Sequence, residues 1–317
     1  MTELVAVDIG GTHARFARAE IAESGSIALD EPVTLRTGDY PNFALAWEDF
    51  AHRAGPLPRA AAIAAAGPLL AGHIKLTNAA WALDFARLRA ELSLEAITGL
   101  NDFAAVAHAV ARLPADRLAH VAGPDRPLPE RGTISVIGPG TGLGVAQVHR
   151  ANGGYHVQPS EGGHVGFAPQ DPLDDRIVAA LRRQYDRVVT EHVVAGPGIA
   201  AIYAALGGGE PADDRSIWQR GLARTDELAS AAVDRFCASL GSAAGDYALA
   251  HGASAVVLAG GIGLRLRERL PASGFAQRFC AKPRYQAMMA AIPVKLVIHP
   301  QPGLYGAVAA FQLEHPR

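Results

Sequence analysis

An apolar run at residues 4–7 leads directly into the segment 8–12, in which an aspartate and an isoleucine are followed by Gly-Gly-Thr. This pattern is typical of a buried strand that ends in a glycine turn beside a carboxylate. Glycine has no Cβ, so its backbone can approach an anion closely, while Asp8 can hold a divalent cation directly or through water. Such turns also join ordinary hairpin strands. The segment therefore predicts a tight turn, and phosphate binding only if a second element supports it.

A second glycine turn occupies residues 137–144 and follows the strand-like residues 133–136. Another apolar stretch comes after it, so the two turns share one sequence setting. Neither contains the lysine of a P-loop, and neither has the spacing or the following helix of a dinucleotide fingerprint. The pair predicts two hairpins that hold one polyphosphate.

Length and composition are those of an ordinary globular chain. At 317 residues the chain exceeds the size at which single cores stop growing, so we expect two domains with a cleft. Hydrophobic residues make up 49% and charged residues 19%, as in typical globular domains. The net charge of -2 gives no electrostatic footprint for nucleic acid or an anionic membrane, so we expect neither as a partner.

The sequence carries no pattern for secretion or for protein-bound zinc. Its first residues lack the charge and apolar core of a signal peptide, and the apolar run 60–70 is interrupted by Gly67 and Pro68. We therefore expect a cytoplasmic protein without a membrane partner. Cys237 and Cys280 have neither metal-ligand nor disulfide spacing, which predicts buried thiols.

Hydrophobic periodicity predicts alternating strands and helices along the chain. The predicted strands are 4–9, 14–19, 61–66, 74–76, 96–100, 133–137, 144–149, 255–259 and 294–298. The predicted helices are 43–53, 85–92, 103–112, about 225–251, and a last one that ends near Phe311.

Asn101 and Asp102 fall at the corner between a predicted strand and the helix 103–112. A carboxylate at the carboxyl end of a strand in an α/β fold commonly faces the crevice where ligands bind, which makes Asp102 the candidate catalytic residue. Asn and Asp are also preferred helix N-caps, and either residue could satisfy the first free N–H groups of the helix. On the residues alone, capping is the favoured interpretation of Asp102.

Three further polar clusters could complete a pocket. Glu161 and His164 flank two glycines, an arrangement suited to adjacent hydroxyls of a polyol or to a plain turn with exposed side chains. Glu191 could act with them, or could be a first-turn residue that complements a helix dipole.

The third cluster is Thr77 and Asn78, which precede Trp81. The indole could offer a flat apolar face to a sugar ring, although a core tryptophan is the more common arrangement.

Taken together and in order, these segments resemble the bacterial glucokinases of the hexokinase and actin-like ATPase superfamily. The agreement covers essentially the whole chain, from Asp8 to residues 302–306. The cysteine-rich zinc motif of the related repressor, open-reading-frame and kinase family is absent, which indicates the branch without zinc and argues against a transcriptional regulator. The most specific parts of the agreement are residues 100–103, 138–144, 161–165, 195–198 and 258–262.

The resemblance implies a two-lobed α/β fold of the ribonuclease H-like, actin-like ATPase type with a central cleft. The smaller lobe would take residues 1–112 and the returning residues 300–317, and the larger lobe residues 113–299. The implied activity is glucokinase activity: ATP-dependent phosphorylation of D-glucose at the 6-hydroxyl, giving glucose 6-phosphate and ADP, with ATP and Mg²⁺ bound. A homodimer is also expected on this resemblance.

The resemblance also implies roles for individual residues. Asp102 falls on the general base, and Asp8 would hold Mg²⁺ through water. The implied glucose ligands are Asn101, Asp102, Glu161, His164 and Glu191, and Thr77 and Asn78 complete the predicted substrate-binding set. The predicted nucleotide-binding residues are Val7, Asp8, Ile9, Gly10, Gly11, Thr12, Gly138, Gly140, Thr141, Gly142, Gly260 and Gly261.

Two rival functions stay open at this point. One is a kinase of the same fold for fructose, mannose or an amino sugar, and the other is a non-catalytic sugar or nucleotide sensor. Asp102 argues against the sensor, which has no need of a positioned base. His13 and Ser160 stand where close relatives are expected to have Asn and Gly, and we expect altered affinity from them more than lost activity.

Overall fold

The computed structural model describes residues 1–76, 81–209 and 213–316. The chain divides into two compact units, Met1–Leu113 with His299–Arg317, and Pro114–Ile298. Both units mix helices with strands, and the described residues form three β-sheets. The predicted α/β fold class is confirmed.

Two sheets form the frame of the first unit. The larger has the order β3-β2-β1-β5-β9 with β4 also paired to β2, and the smaller has the order β6-β7-β8. Strands β1, β5 and β9 run parallel, whereas β1 and β2 form an antiparallel hairpin. The strands are β1 (Thr2–Ile9), β2 (His13–Ile21), β3 (Ile27–Leu29), β4 (Val33–Arg36), β5 (Ala60–Ala65), β6 (Leu69–Leu70), β7 (His73–Lys75), β8 (Ala82–Asp84) and β9 (Ala96–Asn101).

Three helices of this unit are α1 (Phe43–Ala54), α2 (Phe85–Glu91) and α3 (Asp102–Arg112). Each follows a polar N-cap residue whose side chain accepts a backbone hydrogen bond from the first turn. In α1 the buried side chains recur at helical spacing, so one face of the helix packs on the sheet.

The second unit is built on one six-stranded sheet of order β10-β15-β14-β11-β12-β13. Strands β11, β14 and β15 run parallel, and β11 and β12 form a second antiparallel hairpin. The strands are β10 (Leu118–Ala122), β11 (Gly132–Pro139), β12 (Leu143–Ala151), β13 (Gly154–Ser160), β14 (Ala253–Leu258) and β15 (Val294–Val297).

The long helix α8 runs through the core of this unit and buries most of its length, whereas α12 returns the chain to the first unit. In the part of the chain that the structure describes, no helix is both long and apolar enough to cross a bilayer. The helices are α4 (Pro172–Leu181), α5 (Thr190–Val194), α6 (Gly198–Ala205), α7 (Asp214–Leu222), α8 (Glu227–Ala250), α9 (Gly260–Arg265), α10 (Phe275–Cys280), α11 (Gln286–Ala290) and α12 (Pro302–Glu314).

Two expectations about single side chains differ from the structure. Trp81 is only 3% exposed, and its indole N–H donates to the Tyr40 carbonyl at 2.9 Å, so it is a core residue and the idea of a sugar-stacking face is wrong. Cys237 is buried, and burial raises the pKa of its thiol to about 12. Cys280 is only half-buried, so the prediction of two buried thiols holds for Cys237 alone.

Helices α3 and α12 cross at Gly306, where the two backbones touch. A Cβ added at Gly306 would lie 1.7 Å from the Ala105 carbonyl oxygen and 2.9 Å from the Ala109 nitrogen. Only a residue without a side chain allows this approach. The crossing therefore fixes the position of α3, the helix that begins with Asp102.

We expect Gly306→Ala to separate α3 from α12 and to lower the free energy of unfolding by about 3 kcal/mol, because the clash is with rigid backbone. Gly38→Ala is the matched control, since a Cβ there meets nothing within 4 Å. Thermal unfolding of both variants measures the difference. Equal midpoints for the two variants would show that the crossing is loose.

Two aspartates at the start of α4 form ion pairs with arginines of α8 and α10. Arg235 donates to both carboxylate oxygens of Asp171, at 2.8 and 2.5 Å, and lies 2.5 Å from the buried Asp174. Arg278 also donates to Asp171. The arginine side chains are only 13% and 17% exposed. The hydrogen bond from Arg235 is the largest cause that holds the pKa of Asp171 well below its usual range.

The depressed pKa predicts a pH-dependent stability. Asp171 stabilises the folded state above its unfolded-state pKa of about 4, and this contribution is lost as the pH falls further. Asp171→Asn keeps a helix-capping oxygen but removes the charge, so we expect the free energy of unfolding at neutral pH to fall by about 1–3 kcal/mol. Urea unfolding from about pH 7 to 3 should show the deficit of the variant shrinking.

The exposed first-turn residue Asp175 provides the control for this experiment, because Asp175→Asn removes the same charge from the same turn. A deficit for Asp171→Asn that stays constant across the pH range would contradict the assigned ion pairs.

Candidate functional site

The carboxyl ends of β1, β5 and β9 meet at one edge of the first sheet. Ile9 is in register with Ala65, and Ala65 with Asn101. Because neighbouring strands lie about 4.8 Å apart, the glycine turn after β1 and the Asn101–Asp102 corner after β9 are separated by about 10 Å. The sheet therefore brings two of the predicted site segments together.

The first turn is a β-hairpin connection, as predicted. The Gly10 N–H donates to the His13 carbonyl at 2.9 Å. Thr37 supports the turn from the side, because its N–H donates to the Thr12 carbonyl at 3.0 Å and its hydroxyl to the Gly11 carbonyl at 3.2 Å. No described residue accepts a hydrogen bond from the N–H groups of Gly11 and Thr12. These two donors are available to an anion.

Asp8 lies beside this turn with about a fifth of its side chain exposed. Burial is the largest cause that raises the pKa of Asp8 to about 6; Arg15, at 3.6 Å, lowers it, and the charge of Asp102 raises it. A Cβ on Gly303, in the first turn of α12, would lie 2.7 Å from the Asp8 carboxyl carbon. Asp8 is thus a desolvated carboxylate held between an arginine and a backbone.

At the corner after β9, the N-cap of α3 is Asn101. Its Oδ1 accepts hydrogen bonds from the N–H groups of Phe103 and Ala104 at 2.9 and 3.1 Å, and its Nδ2 donates to the Gly67 carbonyl at 3.0 Å. Asp102 is the first helical residue, half-buried, and its Oδ1 also accepts from the Phe103 N–H at 2.8 Å. The capping role that the sequence left open belongs mainly to Asn101.

The second glycine turn also forms a hairpin connection, between β11 and β12, with Pro139 paired to Leu143 where Ile9 pairs with Ala14 in the first hairpin. The Gly140 N–H donates to the Gly142 carbonyl at 2.8 Å, and the Gly140 carbonyl accepts from the Gly196 N–H at 2.8 Å. Gly138 pairs with Gly144 in the ladder below the turn. Within the described ranges, no group accepts a hydrogen bond from the N–H groups of Thr141 and Gly142. The two hairpins therefore present the same kind of donor pair.

Two further predicted residues lie against this second turn. Glu191, in the first turn of α5, accepts a hydrogen bond on Oε2 from the Leu143 N–H at 2.7 Å. Gly260 has a φ of +84°, and a Cβ there would lie 2.7 Å from the Pro139 carbonyl oxygen, so both conformation and space require glycine. Gly261 is exposed, with open space where a Cβ would be.

Glu161 and His164 are exposed; Glu161 precedes the 3-10 turn Gly162–His164, and His164 is its last residue. The His164 N–H donates to the Glu161 carbonyl at 3.0 Å, which keeps the two residues on one tight turn. Ser160 closes β13, and its hydroxyl donates to the Val145 carbonyl at 3.1 Å, so this departure from the expected glycine is accommodated.

The Tyr247 hydroxyl joins the Glu161 segment to the Glu191 segment. It donates to the Gly162 carbonyl at 2.7 Å, and the Thr190 side chain lies beside it and donates to the Val165 carbonyl at 3.1 Å. Burial raises the pKa of Tyr247, and Thr190 partly offsets this shift. The Thr190 N–H in turn donates to the Val165 carbonyl at 2.8 Å. One buried tyrosine of α8 thus fixes two segments that carry predicted sugar ligands.

Comparisons with known proteins identify the family of the chain. A sequence model of the glucokinase family matches residues 4–314. The chain is 50% identical to the glucokinase of Zymomonas mobilis over 315 residues, 98% of this chain and 97% of that protein. This chain belongs to the glucokinase family. A glucokinase structure from an Antarctic psychrotroph superposes with a TM-score of 0.87 at 32% identity, covering 99% of each chain.

Membership of the glucokinase family confirms the predicted glucose-phosphorylating kinase with ATP as a substrate. The Paramagnetospirillum magneticum glucokinase, 39% identical over 96% of this chain and 97% of that protein, supports the same family. The roles of single residues are a separate matter, since the match concerns the chain as a whole.

Some predicted site residues of this family member contribute less than the sequence indicated. The side chains of Val7 and Ile9 are fully buried in the core, so only their backbone groups can face a nucleotide. Thr77 and Asn78 lie outside the described residues.

Sequence reasoning missed three residues that shape the site. Gly303 lay in a segment that carried the family resemblance, so its proline-glycine pair was a usable signal. Thr37 and Tyr247 had none, because each acts through a backbone group far away in the sequence.

We expect Tyr247→Phe to loosen both segments, because the Gly162 carbonyl loses its donor without a change in packing. Hydrogen–deuterium exchange should become faster at residues 162–166 and 190–192. The KM for glucose should rise by about tenfold, equivalent to roughly 1.4 kcal/mol. Tyr285→Phe, at a half-exposed tyrosine of the same unit, is the control. Unchanged exchange in Tyr247→Phe would contradict the assigned linkage.

Proposed function

We propose that this chain transfers the γ-phosphate of ATP to the 6-hydroxyl of D-glucose, with Asp102 as the general base. The observation that carries this assignment is the division of roles at the start of α3. Asn101 caps the helix through two backbone N–H groups, so Asp102 is not needed to begin it. The Phe103 N–H orients the Asp102 carboxylate at the same sheet edge as the first glycine turn.

Both glycine turns serve as phosphate sites in this proposal. The unused N–H groups of Gly11 and Thr12, and of Thr141 and Gly142, are donors that need no rearrangement to meet phosphate oxygens. Gly260 and Gly261 follow β14 close to the second turn and suit the adenosine part of ATP. Backbone donors of this kind stabilise the charge that develops as phosphate is transferred.

Asp8 suits a Mg²⁺ ion that arrives with the nucleotide. Burial and the negative charge of Asp102 both disfavour the ionised form of its carboxylate, and a bound cation would stabilise that form. No group of three potential metal-ligating side chains occurs among the described residues, which fits an ion bound by one or two carboxylates and by phosphates. When bound, Mg²⁺ would supply charge neutralisation on the phosphate oxygens.

In the proposed reaction, the protein forms no covalent bond to either substrate. Asp102 accepts the proton of the sugar 6-hydroxyl as that oxygen forms its bond to the γ-phosphorus, and the bond from that phosphorus to the leaving oxygen of ADP breaks. A well-placed base contributes about 10²–10⁴-fold to the rate. Positioning by the two turns supplies most of the remainder.

Glucose would be held by Asn101, Glu161, His164 and Glu191. The carboxylates accept from sugar hydroxyls, and the imidazole can donate or accept. Asn101 has a narrower role, because Oδ1 already accepts two hydrogen bonds and one hydrogen of Nδ2 goes to the Gly67 carbonyl. Its remaining hydrogen can donate to one sugar oxygen.

The two compact units are proposed to act as the smaller and larger lobes of the kinase. The cytoplasmic location inferred from the sequence pattern and the homodimer inferred from the family resemblance also stay predictions. Size-exclusion chromatography with light scattering tests the homodimer, with a mass near that of a single chain as the contrary result.

The activity is tested by an assay of sugar phosphate formation, which reports turnover with any of the phosphate donors. The panel is glucose, fructose, mannose and glucosamine at equal concentration, with ATP, ADP or polyphosphate as donor. Highest kcat/KM with glucose and ATP supports the proposal. A higher kcat/KM with another hexose would make that hexose the substrate. No turnover with any sugar would favour a non-catalytic sensor.

We expect Asp102→Asn to lower kcat by about 10²–10⁴-fold, because the amide cannot accept the proton. Glucose should still raise the thermal unfolding temperature of the variant, which shows an intact sugar site. Asp214→Asn is the matched control, since Asp214 is likewise the first residue of a helix, α7. Full activity in Asp102→Asn would return Asp102 to a purely structural role.

A further inference from the structure

Glu191 is expected to bind sugar, yet its carboxylate lies against the second glycine turn. Oε2 accepts the Leu143 N–H at 2.7 Å. A Cβ added at Gly142 would stand 2.6 Å from the same oxygen. A side chain that served only as a sugar ligand would need neither contact. The geometry therefore indicates a second role for Glu191, in holding the second glycine turn.

That role concerns the direction of the backbone donors in the turn. Leu143 is the first residue of β12, and its N–H belongs to the peptide unit that follows Gly142. Holding this N–H, together with the Gly140–Gly142 hydrogen bond at 2.8 Å, fixes both ends of the short Thr141–Gly142 segment. These two contacts restrict the orientation of the N–H groups of Thr141 and Gly142, which are proposed to meet phosphate.

We propose that Glu191 is a positioning residue for the nucleotide as well as a ligand for the sugar, and that this one carboxylate couples the affinities for the two substrates. The inference rests on the proposed function. Because the same carboxylate contacts the turn and is proposed to contact the sugar, substitution of Glu191 alters nucleotide affinity and substitution in the turn alters glucose affinity.

A carboxylate near a phosphate site could act in the opposite sense, by repelling the nucleotide. Two substitutions separate these effects, because Glu191→Gln removes the charge but keeps an oxygen for the Leu143 N–H, whereas Glu191→Ala removes both. If Glu191 positions the turn through the Leu143 N–H, nucleotide binding should be weaker only in Glu191→Ala. Repulsion predicts tighter binding in both variants.

The first experiment measures the affinity for a non-hydrolysable ATP analogue with magnesium, by calorimetry and without sugar. We expect Glu191→Ala to bind about tenfold or more weakly than wild type, and Glu191→Gln to stay within about threefold. Glu161→Gln, which changes the other proposed sugar carboxylate, should leave this affinity unchanged. Tighter binding or no change in Glu191→Ala overturns the inference and leaves the proposed function standing. A wild type that binds no analogue overturns both.

The reciprocal experiment starts from the turn. In Gly142→Ala the added methyl group meets the flexible end of Glu191 and displaces it, and we expect glucose affinity without nucleotide to fall by about tenfold. Gly140→Ala is the matched control, because the nearest atom to a Cβ there is 3.8 Å away. Equal glucose affinities for the two variants contradict the coupling.

Discussion

The parallel register of β1, β5 and β9 is the constraint on which the first half of the site depends. It places the ends of β1 and β9 at one edge of the sheet. The first glycine turn, Asp8 and the Asn101–Asp102 corner therefore lie at the same edge without a long loop between strand and site. Because successive side chains of a strand face opposite sides, a shift of one residue would turn Asp8 into the core and Val7 or Ile9 out of it.

In both units, glycines allow the backbone to approach neighbouring groups of the candidate site closely. Gly303 brings the start of α12 against the Asp8 carboxylate, and Gly306 brings α12 onto α3. In the second unit Gly260 reaches the Pro139 carbonyl, and Gly142 admits the tip of Glu191. A methyl group at Gly306 or Gly260 would meet rigid backbone, whereas at Gly303 or Gly142 it would displace a carboxylate side chain. Functional groups are thus placed by rigid packing more than by mobile side chains.

The sequence predicted the elements with a clear local pattern, among them the two hairpin turns, the long helix α8 and the strands β1, β2, β5, β7, β9, β11, β12, β14 and β15. It did not predict the strands β3, β4, β6, β8, β10 and β13 or the helices α4–α7 and α9–α11, most of which are short. It could not show which of Asn101 and Asp102 caps the helix and which is free for catalysis, because both side chains suit an N-cap. It also could not foresee that Glu191 bonds the Leu143 N–H, 48 positions away, since such a contact depends on tertiary packing. For Trp81 the sequence favoured the core position that the structure shows, but it could not identify Phe43 as a neighbour of the indole.

We propose that Asp102 is the general base and that backbone N–H groups of both glycine turns bind phosphate oxygens. A crystal structure with glucose and a non-hydrolysable ATP analogue tests it most directly. The prediction is that phosphate oxygens lie within hydrogen-bond distance of backbone N–H groups in both turns, and that the sugar 6-hydroxyl lies within reach of the Asp102 carboxylate. Phosphates held at one turn only, or a 6-hydroxyl directed away from Asp102, would contradict it.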